Sequence, residues 1–156
     1  MRFLDRFRRK HRRVSDPAFG ELAYEEPWWR GKVRFRPCAS EVAVNIESDE
    51  GGPSEQQRIR FRELDRKYHD LLPLIGVALW ELYRPVRTEL ERDRHARLGP
   101  SDARGMVEKT ALFGIDLRQD GGIGLGYGFV PDVGWDDAMF TVALEGWTPR
   151  PVSLDD

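Results

Sequence analysis

Phe61-Arg62-Glu63-Leu64-Asp65-Arg66-Lys67-Tyr68-His69-Asp70-Leu71-Leu72-Pro73-Leu74-Ile75-Gly76-Val77-Ala78-Leu79-Trp80-Glu81-Leu82 is the stretch on which the fold turns. Phe61, Leu64, Tyr68, Leu71, Ile75, Leu79 and Leu82 recur at helical steps, which draws a single apolar stripe over about six turns. Just upstream, Ser54 followed by Gln57 makes a capping box, and Glu55 complements the helix dipole. Pro73 removes one backbone donor and crowds the carbonyl of His69, so a kink or two abutting helices is expected. The stripe stays in phase across Pro73, which favours the kink. Beyond Pro85, residues 86–97 are expected to extend the helix as a solvated arm ending near Gly99-Pro100.

On either side of this helix the periodicity changes to two. Upstream, Phe19 to Tyr24, Trp28 to Phe35 and Glu41 to Glu47 alternate. Trp29, Val33 and Phe35 fall on one face against Arg30, Lys32 and Arg34, and Val42, Val44 and Ile46 share a face. Downstream, Thr110 to Leu117 alternates only in part, and Gln119-Asp120-Gly121 is a hairpin signal. Ile123, Leu125, Tyr127 and Phe129 then alternate with glycine. Met139 to Leu144 and Thr148 to Leu154 form a closing hairpin around Glu145-Gly146-Trp147. The expected architecture is α+β. An antiparallel sheet of about three strands, a long Pro-kinked helix and about four further strands would have the helix packed on one face. Residues 1–16 read as a basic amphipathic tail, and 17–156 as one domain.

The chain of 156 residues is 40% hydrophobic and 11% aromatic, within the range of one globular domain. Its net charge of −2 hides an uneven distribution. Residues 1–14 carry seven basic side chains against one acid, whereas residues 99–156 carry four against ten. Phe3, Leu4 and Phe7 sit at helical spacing among Arg8, Arg9, Lys10, Arg12 and Arg13. Three apolar residues bury little, so such a segment reads first as a solvated tail, and otherwise as one suited to an anionic membrane surface or nucleic acid. Cys38 is the only cysteine, so no intrachain disulfide forms, which fits a reducing compartment. No run of about 18 apolar residues is present. A cytoplasmic protein is expected, with peripheral attachment to the inner membrane as the alternative.

No group of residues reads as an active site. His11, His69 and His95 lack ligand spacing to Cys, His or carboxylates, apart from ordinary helix neighbours, so no metal and no cofactor is expected. Gly122, Gly124, Gly126 and Gly128 meet neither nucleotide-loop spacing, and their period of two says strand. Glycine weakens strands, so a glycine face implies something lying close against it, either another part of the fold or a partner. Trp135 flanked by Asp132, Asp136 and Asp137 forms a turn suited to a basic partner, or a solvated turn. The remaining alternative is a hydrolase that uses Asp136 and Asp137, with His69 as an optional third group. The Arg30, Lys32, Arg34 and Arg36 series alternates with aromatics instead of sharing their face, which reads as a salt-laced surface.

The elements Phe19-Gly20-Glu21-Leu22 and Trp28-Trp29-Arg30-Gly31-Lys32-Val33 resemble the start of a family of small bacterial α+β domains without an assigned activity. So do Tyr68-His69-Asp70-Leu71-Leu72-Pro73 and Trp135-Asp136-Asp137 further on, and the likeness covers residues 19–154. Relatives place a histidine after the acidic turn, where this chain has Ala138-Met139. The resemblance implies an immunity or accessory protein of a bacterial toxin system. With the acidic C-terminal half it leads to one expectation: a non-catalytic binding protein that occludes a toxin or effector, with a basic protein as partner. The expected contact residues are Gly122, Gly124, Gly126, Gly128, Trp135, Asp136 and Asp137.

Overall fold

The computed structural model describes residues 12–89, 99–131 and 137–155. Helix α1 spans Glu55–Tyr83, begun by the capping box. Ser54 Oγ accepts from Gln57 N, and the Gln57 side chain accepts from Ser54 N at 2.9 Å. The helix runs unbroken through Pro73. The far end of the expected arm, residues 90–97, lies outside the described residues.

Four strands precede α1: β1 (Arg13–Asp16), β2 (Gly20–Glu25), β3 (Trp28–Phe35) and β4 (Ser40–Glu47), with a 3-10 turn at Arg36–Cys38. After it come a short helix, α2 (Ala103–Lys109), and strands β5 (Thr110–Leu117), β6 (Ile123–Phe129), β7 (Met139–Glu145) and β8 (Thr148–Asp155). All eight form one sheet, with spatial order equal to chain order. Every neighbouring pair is antiparallel except β4 and β5, which run parallel with Val44 opposite Ile115 and Ile46 opposite Leu117.

This corrects the expected architecture, an antiparallel sheet of about three plus about four strands. The sheet is mixed and eight-stranded, and a second helix follows the long one. The physical reason is the connection. Parallel neighbours need a crossover of a dozen or more residues, and the segment holding α1 and α2 supplies it. The additional strand, β1, is only four residues long, too short for alternation to reveal. It pairs with β2 as Val14↔Leu22 and Asp16↔Gly20.

Asp16 closes that first hairpin. Its Oδ1 accepts from Ala18 N at 2.9 Å and Phe19 N at 3.3 Å, and Oδ2 receives Arg58 Nη2 at 2.8 Å. A nearly buried carboxylate is thereby fully satisfied and ties β1 to α1. The core lies between the inner sheet face and α1. Leu22, Trp29, Phe35, Val42, Val44 and Ile46 enter from the first half of the sheet, and Ile115, Leu125, Phe140, Val142 and Leu144 from the second. Phe61, Leu64, Tyr68, Leu71, Ile75 and Leu79 meet them from the helix. The β7–β8 turn grips α1 from outside, where Trp147 lies 4.5 Å from the Arg60 guanidinium and 5.5 Å from the Lys67 ammonium. No helix among the described residues is long and apolar enough to cross a membrane.

Candidate functional site

The outer face of the second half-sheet is built on glycine. Inward, β6 sends Ile123, Leu125 and Tyr127 into the core, so Gly124, Gly126 and Gly128 necessarily face out. Neighbouring strands keep this floor low. Gly126 pairs with Gly114 on β5 and Thr141 on β7, and Gly124 pairs with Asp116 and Ala143. Strand β5 carries a bulge between Leu112 and Gly114, which leaves Phe113 as an extra residue. Its ring comes down over the glycines. A Cβ at Gly126 would lie 3.0 Å from Phe113 Cζ, and one at Gly128 3.6 Å from Phe113 Cδ1. Asp116 covers Gly124, and the side chains of Asp120 and Arg118 lie against Gly122, in the turn before β6. The glycine face therefore has a cover inside the fold, an aromatic laid on glycine backbone.

The outer side of that aromatic stays open. Phe113 is 43% exposed, and Met139, opposite Gly128 on β7, is 47% exposed. The polar neighbours on the same face are mostly acidic. Asp116 is held by Asn45 Nδ2 at 2.7 Å, Asp155 lies opposite Met139, and Glu145 pairs with Arg150. Toward the first half-sheet the face becomes a lattice of ion pairs, Arg30 with Glu25 at 3.1 Å and Lys32 with Glu41 at 3.5 Å. Trp29 and Phe35 are buried beneath it.

Of the other sequence-derived candidates, Asp137 is described, in the turn before β7. Trp135 and Asp136 lie outside the described residues, as do Phe3, Leu4, Phe7, Arg8, Arg9 and Lys10. Arg12 forms an ion pair with Glu50 at 2.8 Å, and Arg13 opens β1. His69 stands midway along α1 beside the Tyr68 ring. The described residues contain no cluster of three His, Cys, Asp or Glu able to hold a metal.

Sequence reasoning named neither Phe113 nor Met139 as a contact residue, and it missed a buried cluster. Tyr68 on α1 and Tyr127 on β6 share a hydrogen bond of 2.9 Å between their hydroxyls, and the Cys38 thiol lies beside them on the same lining. Burial pushes the Cys38 thiol and both phenols above their ordinary ranges, so all three stay protonated at neutral pH. A protonated thiol is a poor nucleophile. No local spacing brings these three together. The one available signal was that each tyrosine sits on an apolar stripe, where a buried hydroxyl must find a partner.

No family model matches this chain, and no curated protein or solved structure matches it either. The motifs behind the bacterial-domain resemblance are largely core residues. Phe19, Leu22, Trp29, Tyr68 and Leu71 are buried, and Gly31 admits the Glu21 carbonyl where a Cβ would sit 2.5 Å from it.

Proposed function

We propose that this chain is a non-catalytic binding protein that docks a basic protein partner on the outer face of β5–β7, in the manner of an immunity protein occluding a toxin or effector. One observation carries the reading: an exposed aromatic, Phe113, seated on a glycine floor beside exposed Met139. Aromatic and methionine side chains are enriched at interface centres, and here the two project side by side from one face. Asp116 and Asp155, with the Glu145–Arg150 ion pair beyond them, give the face an acidic edge, which speeds encounter with basic surfaces. The bacterial toxin context comes from the motif resemblance.

Co-purification with the products of adjacent genes tests this. A stoichiometric partner should be recovered, its binding should weaken as salt rises, and Phe113→Asp should abolish it without lowering the melting temperature by more than a few degrees. A partner retained at full affinity by Phe113→Asp would overturn the assignment of this face.

A further inference from the structure

On the opposite side of the sheet, the Cys38–Tyr68–Tyr127 cluster lines a crevice of about 370 Å³ between the 3-10 turn, α1 and β5. We propose that this crevice binds a small uncharged molecule, apolar over most of its surface and carrying one hydrogen-bond-accepting oxygen.

Size and lining come first. The volume lies within the range of small-molecule sites and exceeds twice the roughly 150 Å³ that suffices for benzene in an apolar cavity. Leu72, Ile75, Leu79, Val107 and Leu112 form apolar walls. Ser40, His69 and Thr110 are its other polar residues and no Asp, Glu, Lys or Arg lines it, so a charged ligand would lose its hydration without gaining a permanent counter-charge.

The hydrogen-bond count supplies the oxygen. The Tyr68 and Tyr127 hydroxyls own two protons and share one hydrogen bond. Either tyrosine hydroxyl can donate to the other. Whichever hydroxyl donates, one buried phenol proton is left over, and beside Tyr68 stands only the Cys38 sulfur, a weak acceptor. Buried donors require acceptors, and a ligand oxygen entering between these walls provides one.

The test titrates isotope-labelled full-length protein with acetophenone, and with ethylbenzene, which keeps the ring and lacks the oxygen. Acetophenone should shift the amides of Cys38, Leu72, Val107 and Leu112 saturably, and should bind about three- to tenfold more tightly than ethylbenzene. In Tyr68→Phe/Tyr127→Phe, which removes both hydroxyls and leaves only a weak thiol donor, the preference should fall below about twofold. Absence of saturable shifts at those amides, or equal affinity for the two probes in the wild type, would overturn the proposal. So would an undiminished preference in the double variant. Should that variant not fold, the wild-type probe pair still decides.

Discussion

Phe113 and Gly126 occupy one another's space: a Cβ at position 126 would lie 3.0 Å from Phe113 Cζ and 3.1 Å from Cε2. The bulge in β5 and the glycine in β6 are thus two halves of one device. The bulge delivers a ring to the outer face, and the absent side chain gives it a seat. These two residues should be energetically coupled. Replacing Gly126 with Ala in a Phe113→Ala background should stabilise the protein by about 0.5–1 kcal/mol, the ordinary gain of alanine over glycine in a strand. With Phe113 present, displacement of the ring should cancel most of that gain. A double-mutant cycle by urea unfolding measures the difference, and additivity within about 0.3 kcal/mol would refute the coupling.

The buried tyrosine pair predicts an alkaline limit to stability. Tyr68 and Tyr127 titrate above the ordinary phenol range in the fold, chiefly because burial disfavours the phenolate. In the unfolded chain both titrate near about 10. The folded state then holds protons that the unfolded state has released. Their contribution is present in full below that pH and is lost as pH rises above it, at about 1.4 kcal/mol per pH unit for each tyrosine. Unfolding free energies between pH 9 and 11.5 should show this slope, and Tyr127→Phe should flatten it by about half. A slope indifferent to that substitution would contradict the argument.

Asp16 predicts the largest polar loss. Its side chain is 2% exposed, and its partner Arg58 is 24% exposed. Asp16→Ala removes acceptors from two backbone N–H groups and leaves a half-buried guanidinium with only Glu55, a cost of roughly 2–4 kcal/mol. Asp16→Asn keeps the acceptor for the turn and loses only the charge, so its midpoint in urea should fall between those of wild type and Asp16→Ala.

Gly76 marks the closest approach of the two helices. A Cβ there would lie 2.5 Å from the Ala103 carbonyl oxygen and 2.7 Å from Val107 Cγ2. Alanine usually improves a helix interior by about 1 kcal/mol over glycine. Here overpacking against backbone should reverse the sign, and Gly76→Ala should destabilise by about 1–3 kcal/mol. A melting temperature at or above wild type would show that α2 can move aside.

Much of the secondary structure was legible because its causes are local. The Ser54–Gln57 capping box and the stripe from Phe61 to Leu79 place α1, since both depend on side chains within a turn or two of each other. Alternation located β3, β4, β6 and β7 for the same reason. Strand β5 was blurred by its own bulge, where Phe113 breaks the period of two. Helix α2 was too short to show a stripe. Strand β1 exists through its pairing with β2 and the Asp16–Arg58 bridge, both of which lie outside its four residues.

The sequence by itself determined a long capped helix between two groups of strands and a β6 whose outer face carries no side chains. Periodicity and capping are near-neighbour physics, so one dimension suffices for them. Only the tertiary structure decided the parallel joining of β4 to β5, the ring that covers the glycines, and the meeting of Cys38, Tyr68 and Tyr127 at one crevice. Those relationships join residues distant along the chain, and their strength comes from burial and close approach, which exist only once the sheet has closed over α1.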